Sequence, residues 1–129
     1  MKAALILFCC LAFFPISAHS SGLLGDEWIS EAELKRQSAF ARTNRLQLSN
    51  LQCRFREGVS NPQRKDVIFR AEFEQTANPV AWGWTYDANA PIPGAEQNAR
   101  AAGLEIASED YFEISGVTWV RCRIWQRPQ

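Results

Sequence analysis

Apolar and polar residues alternate cleanly from Asp66 to Gln75. Val67, Phe69, Ala71 and Phe73 fall on one side, and Ile68, Arg70, Glu72 and Glu74 on the other. This period of two is that of a half-buried strand. Arg45 to Arg56 reads as a second strand with a break in parity. Leu46 and Leu48 share one parity, while Leu51, Cys53 and Phe55 share the other. A bulge near Ser49-Asn50 would bring both sets to one face. A short aromatic strand follows from Val80 to Tyr86, with Trp82, Trp84 and Tyr86 on one side. Leu104 and Ile106 suggest a further strand, and Tyr111 to Ile114 another short one. The last strand runs from Val117 to Gln126, with Val120, Cys122 and Ile124 on one face.

Two helices interrupt this pattern. Ser30 followed by Glu33 is a capping-box spacing, which predicts a helix from Glu31 to about Arg42. A second helix is expected from about Gly94 to Ala102, with a smooth stripe of Ala95, Ala99 and Ala102 and with Gly103 as a left-handed cap. Turns are marked by Ser60-Asn61-Pro62, Asn78-Pro79 and Gly116. The order is then helix-strand-strand twice, with Val80 to Tyr86 as the joint. Neither unit buries an apolar face alone, so the expected fold is α+β. It is an antiparallel sheet of four to six strands with two helices, built as two α-β-β units over about 30–75 and 80–127.

The first twenty residues have a different character. Lys2 precedes an apolar run from Ala3 to Phe14, ended by Pro15, with small residues Ser17, Ala18, Ser20 and Ser21 behind it. That is the layout of a secretory signal, too short to span a bilayer. Cleavage after Ser20 or after Ala18 fits. The expected organisation is a signal peptide over 1–20, a leader over 21–29 and a single domain over 30–127. Its location would be periplasmic or secreted, with no membrane attachment after cleavage.

Export changes how the cysteines read. Cys9 and Cys10 leave with the signal, and Cys53 and Cys122 remain. In an oxidising compartment such a pair is most simply a disulfide; two buried free thiols are the competing reading. Charge is balanced overall, at 14 basic and 14 acidic residues. It is uneven along the chain, because Lys35 to Arg70 is mostly basic and Glu72 to Glu113 mostly acidic. Either an anion-binding patch or mutual neutralisation of neighbouring strands accounts for this. Near-zero net charge and the exported compartment both argue against nucleic acid.

Catalytic chemistry is sparsely provided. His19 is the one histidine, and it precedes a cut after Ser20, so no histidine-based triad can be built. An ordinary zinc site is hard to assemble with the two cysteines oxidised, and no cofactor is implied. A cut after Ala18 would make His19 the N-terminus, whose amine and imidazole could bind copper, but no second histidine exists to finish that site. Glu109-Asp110 and Glu72 with Glu74 could serve acid–base work on paper, yet nothing sets one carboxyl against another. The surface candidate is the last strand. If Val120, Cys122 and Ile124 face the core, then Trp119, Arg121, Arg123 and Trp125 face away, with Trp82 and Trp84 as further candidates. Trp and Arg are the residue types of binding hot spots. In the alternative reading, Glu72 and Glu74 pair with Arg121 and Arg123 across neighbouring strands, and the tryptophans lie under a helix or in the core.

Two families share features with these segments. The stretch NARAAGLEIASEDYFEISGVTWVRCRIW resembles the αββ tandem repeat that accompanies polyglycine hydrolases and related secreted serine hydrolases. Its first-half counterpart, Glu33 to Gln75, is a fainter copy. That resemblance implies a non-catalytic module. The order of WGWTY, AEQNARAAGLEI and VTWVRCRIW is similar to the sporulation-related repeat, which implies binding of peptidoglycan glycan strands on the sheet. The expectation is an exported, non-enzymatic binding or structural module of the cell envelope, monomeric, with an unknown protein or a cell-wall glycan as partner. The alternative is an inhibitor or immunity protein that caps an enzyme. A carboxylate-only enzyme and a structural subunit are further rivals.

Overall fold

The computed structural model describes residues 26–129. The expected signal segment and most of the leader lie outside the described residues. No described helix is long and apolar enough to cross a membrane. Helix α1 covers Glu31–Thr43, β1 Leu46–Phe55, β2 Val67–Gln75, β3 Trp82–Ala88, α2 Ala95–Ala101, β4 Glu105–Ser115 and β5 Thr118–Gln126. The chain is α+β, in the order α-β-β, β, α-β-β.

The local signals act as their chemistry requires. Ser30 Oγ accepts the Glu33 N–H at 3.2 Å and starts α1. Leu34, Ser38 and Ala41 form the buried stripe of α1. The register of β1 against β2 shifts between Leu48 and Asn50, the bulge that the parity change demands. It lets Leu48, Leu51, Cys53 and Phe55 all point inward, opposite Val67, Phe69, Ala71 and Phe73. Gly103, at φ 79°, closes α2. Its N–H reaches the Arg100 carbonyl and the Leu104 N–H reaches that of Ala99, a pairing that satisfies two end carbonyls.

The five strands are antiparallel and fall into two sheets, β1-β2 and β3-β5-β4. Their inner faces enclose one core. Phe69 meets Tyr86 edge-on at 4.9 Å and Trp84 at 5.9 Å, and Phe73 meets Trp82 at 5.8 Å. Between β1 and β4, which lie in different sheets, a side chain meets the backbone. The Cys53 N–H donates to Asp110 Oδ2 at 3.0 Å. The disulfide Cys53–Cys122 joins β1 to β5 across that seam, with Cα atoms 6.2 Å apart. It ties the first α-β-β unit to the second.

Three expectations need correction. The region from Leu104 to Ile114 is one strand, not two; an irregularity between Ile106 and Ser108 absorbs the parity change that suggested a break. The third strand starts at Trp82 rather than Val80, and Asp87 and Ala88 extend it along β5. Glu72 and Glu74 do not meet Arg121 and Arg123, because β2 and β5 lie in different sheets.

Candidate functional site

Strand β5 has the parity that the sequence predicts. Val120, Cys122 and Ile124 are buried in the core, and Trp119, Arg121, Arg123 and Trp125 share the outer face of the three-stranded sheet. The structure then divides that face in two. Helix α2 lies across the end that holds Trp125. Arg100 of α2 sits 5.5 Å from the Trp125 ring, and Glu96 of α2 reaches Arg123 at 3.4 Å. Trp125 is 0% exposed, with its indole N–H donated to Thr85 Oγ1 at 2.8 Å. A tryptophan so enclosed presents no surface to a ligand, so the strip is shorter than the sequence suggested.

Both arginines are used within the sheet. Arg121 pairs with Asp87 of β3 at 2.6 Å, and Arg123 pairs with Glu109 of β4 at 2.6 Å. These partners come from the two strands flanking β5, which register places directly opposite. Glu109 and Glu96 raise the Arg123 pKa against the opposing effect of burial. The outer-face arginines hold three strands together and are poorly placed to meet an acidic ligand.

Trp82 and Trp84 are on the inner face. Trp82 is buried, with its N–H on the Leu46 carbonyl at 3.0 Å and the Arg42 guanidinium stacked on its ring at 4.3 Å. Trp84 is half-buried and donates to Ser38 Oγ of α1 at 2.9 Å. They join α1 to the core, the packing alternative of the sequence reading.

What remains open is the far end of the β4–β5 hairpin. Trp119, half-buried, stacks on Tyr111 with ring centres 6.0 Å apart and planes 23° apart. The two are diagonal neighbours, because Tyr111 faces Arg121 and Trp119 faces Glu113 across the ladder. Tyr111 is 51% exposed and donates its hydroxyl to Glu113 at 3.1 Å. Burial and the Glu113 carboxylate raise its phenol pKa. Asn89 clasps the base of this pair through both backbone and side chain to Trp119. Beyond it, Ile114 is 58% and Val117 80% exposed at the tip. Tyr111 is the residue that the parity of β5 could not reveal. It could be found from the Gly116 turn by counting back along the hairpin, once Leu104 to Ile114 is taken as a single strand.

A second concavity, of about 470 Å³, lies between α1 and β3. Glu31 is its acidic member. Burial opposes its ionisation, but the Tyr86 hydroxyl (2.6 Å), Lys35 (3.3 Å) and Arg64 (3.8 Å) outweigh this and hold its carboxyl below the ordinary value. Burial, and then Glu31, push the Tyr86 phenol upward.

Cys53, Asp110 and Cys122 converge in the core seam. With both sulfurs in a disulfide, a single carboxylate donor is left there, too few for a metal centre. No family model, no curated protein and no solved structure matches the chain.

Proposed function

We propose that the chain is an exported, non-enzymatic binding module of the cell envelope that recognises its ligand with the outer face of the β4–β5 hairpin. The observation that carries this reading is the stacked pair Tyr111 and Trp119. Two aromatic rings, of which Tyr111 is half-exposed, on a strand end that Asn89 fixes at the Trp119 backbone, offer aromatic surface of the kind that stacks on sugar rings. The intersheet disulfide gives that surface a rigid base and suits an oxidising periplasmic or extracellular setting. The resemblance to a structural repeat supports the non-enzymatic part of this reading, and that to a glycan-binding repeat supports the ligand.

Co-sedimentation of the oxidised protein with purified peptidoglycan tests the reading. The wild type should pellet, and Trp119→Ala and Tyr111→Ala should each remain in the supernatant while keeping their fold by circular dichroism. Pelleting that both variants retain would remove the hairpin as the site.

A protein partner is the second reading, and one observation favours it. Ile114 and Val117 project from the hairpin tip as exposed aliphatic groups, and exposed apolar side chains at a protruding turn suit the cleft of an enzyme. An inhibitor or immunity role would replace glycan binding if the wild type fails to pellet and is captured in a one-to-one complex that Val117→Asp disrupts.

A further inference from the structure

The groove between α1 and β3 is at the opposite edge of the three-stranded sheet from β4. Among the described residues strand β3 pairs with β5 alone, so one of its edges carries no ladder there. The direction of its peptide groups follows from the register. Ala81 accepts from the Arg127 N–H at 2.9 Å, and the Asn89 N–H donates to the Trp119 carbonyl at 3.0 Å. Both contacts are in step with the β3–β5 pairing. In an antiparallel ladder, alternate residues exchange bonds with one neighbour and the residues between them point the other way. The odd-numbered positions of β3 therefore serve β5, and Trp82, Trp84 and Tyr86 turn their N–H and C=O groups towards the groove. Arg42 meets the Trp82 carbonyl at a long 3.5 Å. The peptide groups of Trp84 and Tyr86 have no hydrogen-bond partner among the described residues. Helix α1 bridges to this edge through hydrogen bonds from the side chains of Glu31, Ser38 and Arg42.

Charge gives the groove a sign. Lys35, Arg42 and Arg64 line it against the single carboxylate of Glu31. Glu31 is already shared by Lys35, Arg64 and the Tyr86 hydroxyl. Arg42 has no carboxylate partner among the described residues. Its guanidinium carbon is 4.3 Å from the centre of the Trp82 ring, and one nitrogen meets the Trp82 carbonyl; with five N–H donors on a guanidinium, others remain for a ligand. Arg45 lies beside it at the mouth of the adjoining hollow. All four cations come from the basic half of the sequence.

We propose that this groove binds an extended peptide carrying a carboxylate. The peptide adds a strand to the free edge of β3, exchanging hydrogen bonds with Trp84 and Tyr86, and its carboxylate docks on the Arg42 guanidinium. Main-chain pairing supplies a sequence-tolerant part of the affinity, and the carboxylate on arginine fixes the register. The site is separate from the Tyr111–Trp119 pair and does not depend on it.

The test uses a fluorescein-labelled Thr-Val-Thr-Val-Thr-Glu hexapeptide with a free C-terminus. Binding is followed by anisotropy and by ¹⁵N chemical shifts of the oxidised protein. The expected result is saturable binding that moves the Trp84 and Tyr86 amide signals. Affinity should fall at least about tenfold, the loss of one charge-assisted contact, for Arg42→Gln and for an amidated Thr-Gln-ended peptide alike. A version N-methylated at alternate residues keeps the charge and should not bind. Trp119→Ala should bind the hexapeptide as the wild type does. Absence of binding to the hexapeptide, equal binding of the acid and amide forms, or shifts that leave Trp84 and Tyr86 unmoved would each overturn the proposal.

Discussion

Trp125 and Trp119 have the same strand parity but opposite surroundings, and replacing each by alanine measures the difference. Trp125 is wholly enclosed beneath α2 and donates its N–H to Thr85. Removing a buried indole costs about 3–5 kcal/mol through lost transfer energy and the cavity left behind. The Thr85 hydroxyl also loses its partner, for about 1 kcal/mol more. In a domain of this size each kcal/mol moves the melting temperature by about 4–8 °C, so Trp125→Ala should lower it by on the order of 15–50 °C. Trp119 is half-buried and its main contact is the Tyr111 ring. Loss of such a stacked pair costs about 0.5–1.5 kcal/mol, a fall of about 5 °C. Urea unfolding of the oxidised variants, followed by circular dichroism, gives both values under one set of conditions. A Trp125→Ala loss below about 1.5 kcal/mol, too small for a closed cavity, would show that α2 does not cover that end of the sheet. Equal losses for the two variants would refute the division of the face on which the functional reading rests.

Two further outcomes follow from the seam and the groove. The double variant Cys53→Ala/Cys122→Ala opens a loop of 69 residues and should lose about 4 kcal/mol on the chain-entropy model; a loss under about 1 kcal/mol in urea would mean that the unit interface holds without its crosslink. The Glu31 carboxyl is held below its ordinary value of 4.5, so it contributes stability above that value and loses the contribution as pH falls through the folded-state value. The stability gap between wild type and Glu31→Gln should therefore be full at pH 7 and close in acid, and a gap independent of pH would count against the Tyr86–Glu31–Lys35–Arg64 cluster.

Much of the fold could be read from neighbouring residues because its causes are local. The alternation in Asp66 to Gln75, the parity change at Ser49-Asn50, the Ser30 cap and the Gly103 terminator each act within a few residues. The pairing of Cys53 with Cys122 needed only the count of cysteines left once the first twenty residues are read as a signal. Parity also placed Trp119, Arg121, Arg123 and Trp125 on one face of the last strand. Parity is a property of the strand alone, however, whereas exposure depends on what lies across it. The position of α2 over Trp125 is set by Arg100, Glu96 and the path of the Asn89–Gly94 loop, none of which has a signature in β5 itself. Register likewise decided that Arg121 and Arg123 meet Asp87 and Glu109 rather than Glu72 and Glu74, since two antiparallel ladders had to divide before any cross-strand partner was fixed. The tertiary structure brought Tyr111 under Trp119 and left one edge of β3 unpaired beside Arg42. The first contact is short in sequence but needs the hairpin register, which the expected break between Ile106 and Tyr111 concealed; the second joins residues about 40 apart, and local pattern contains no information about such distances.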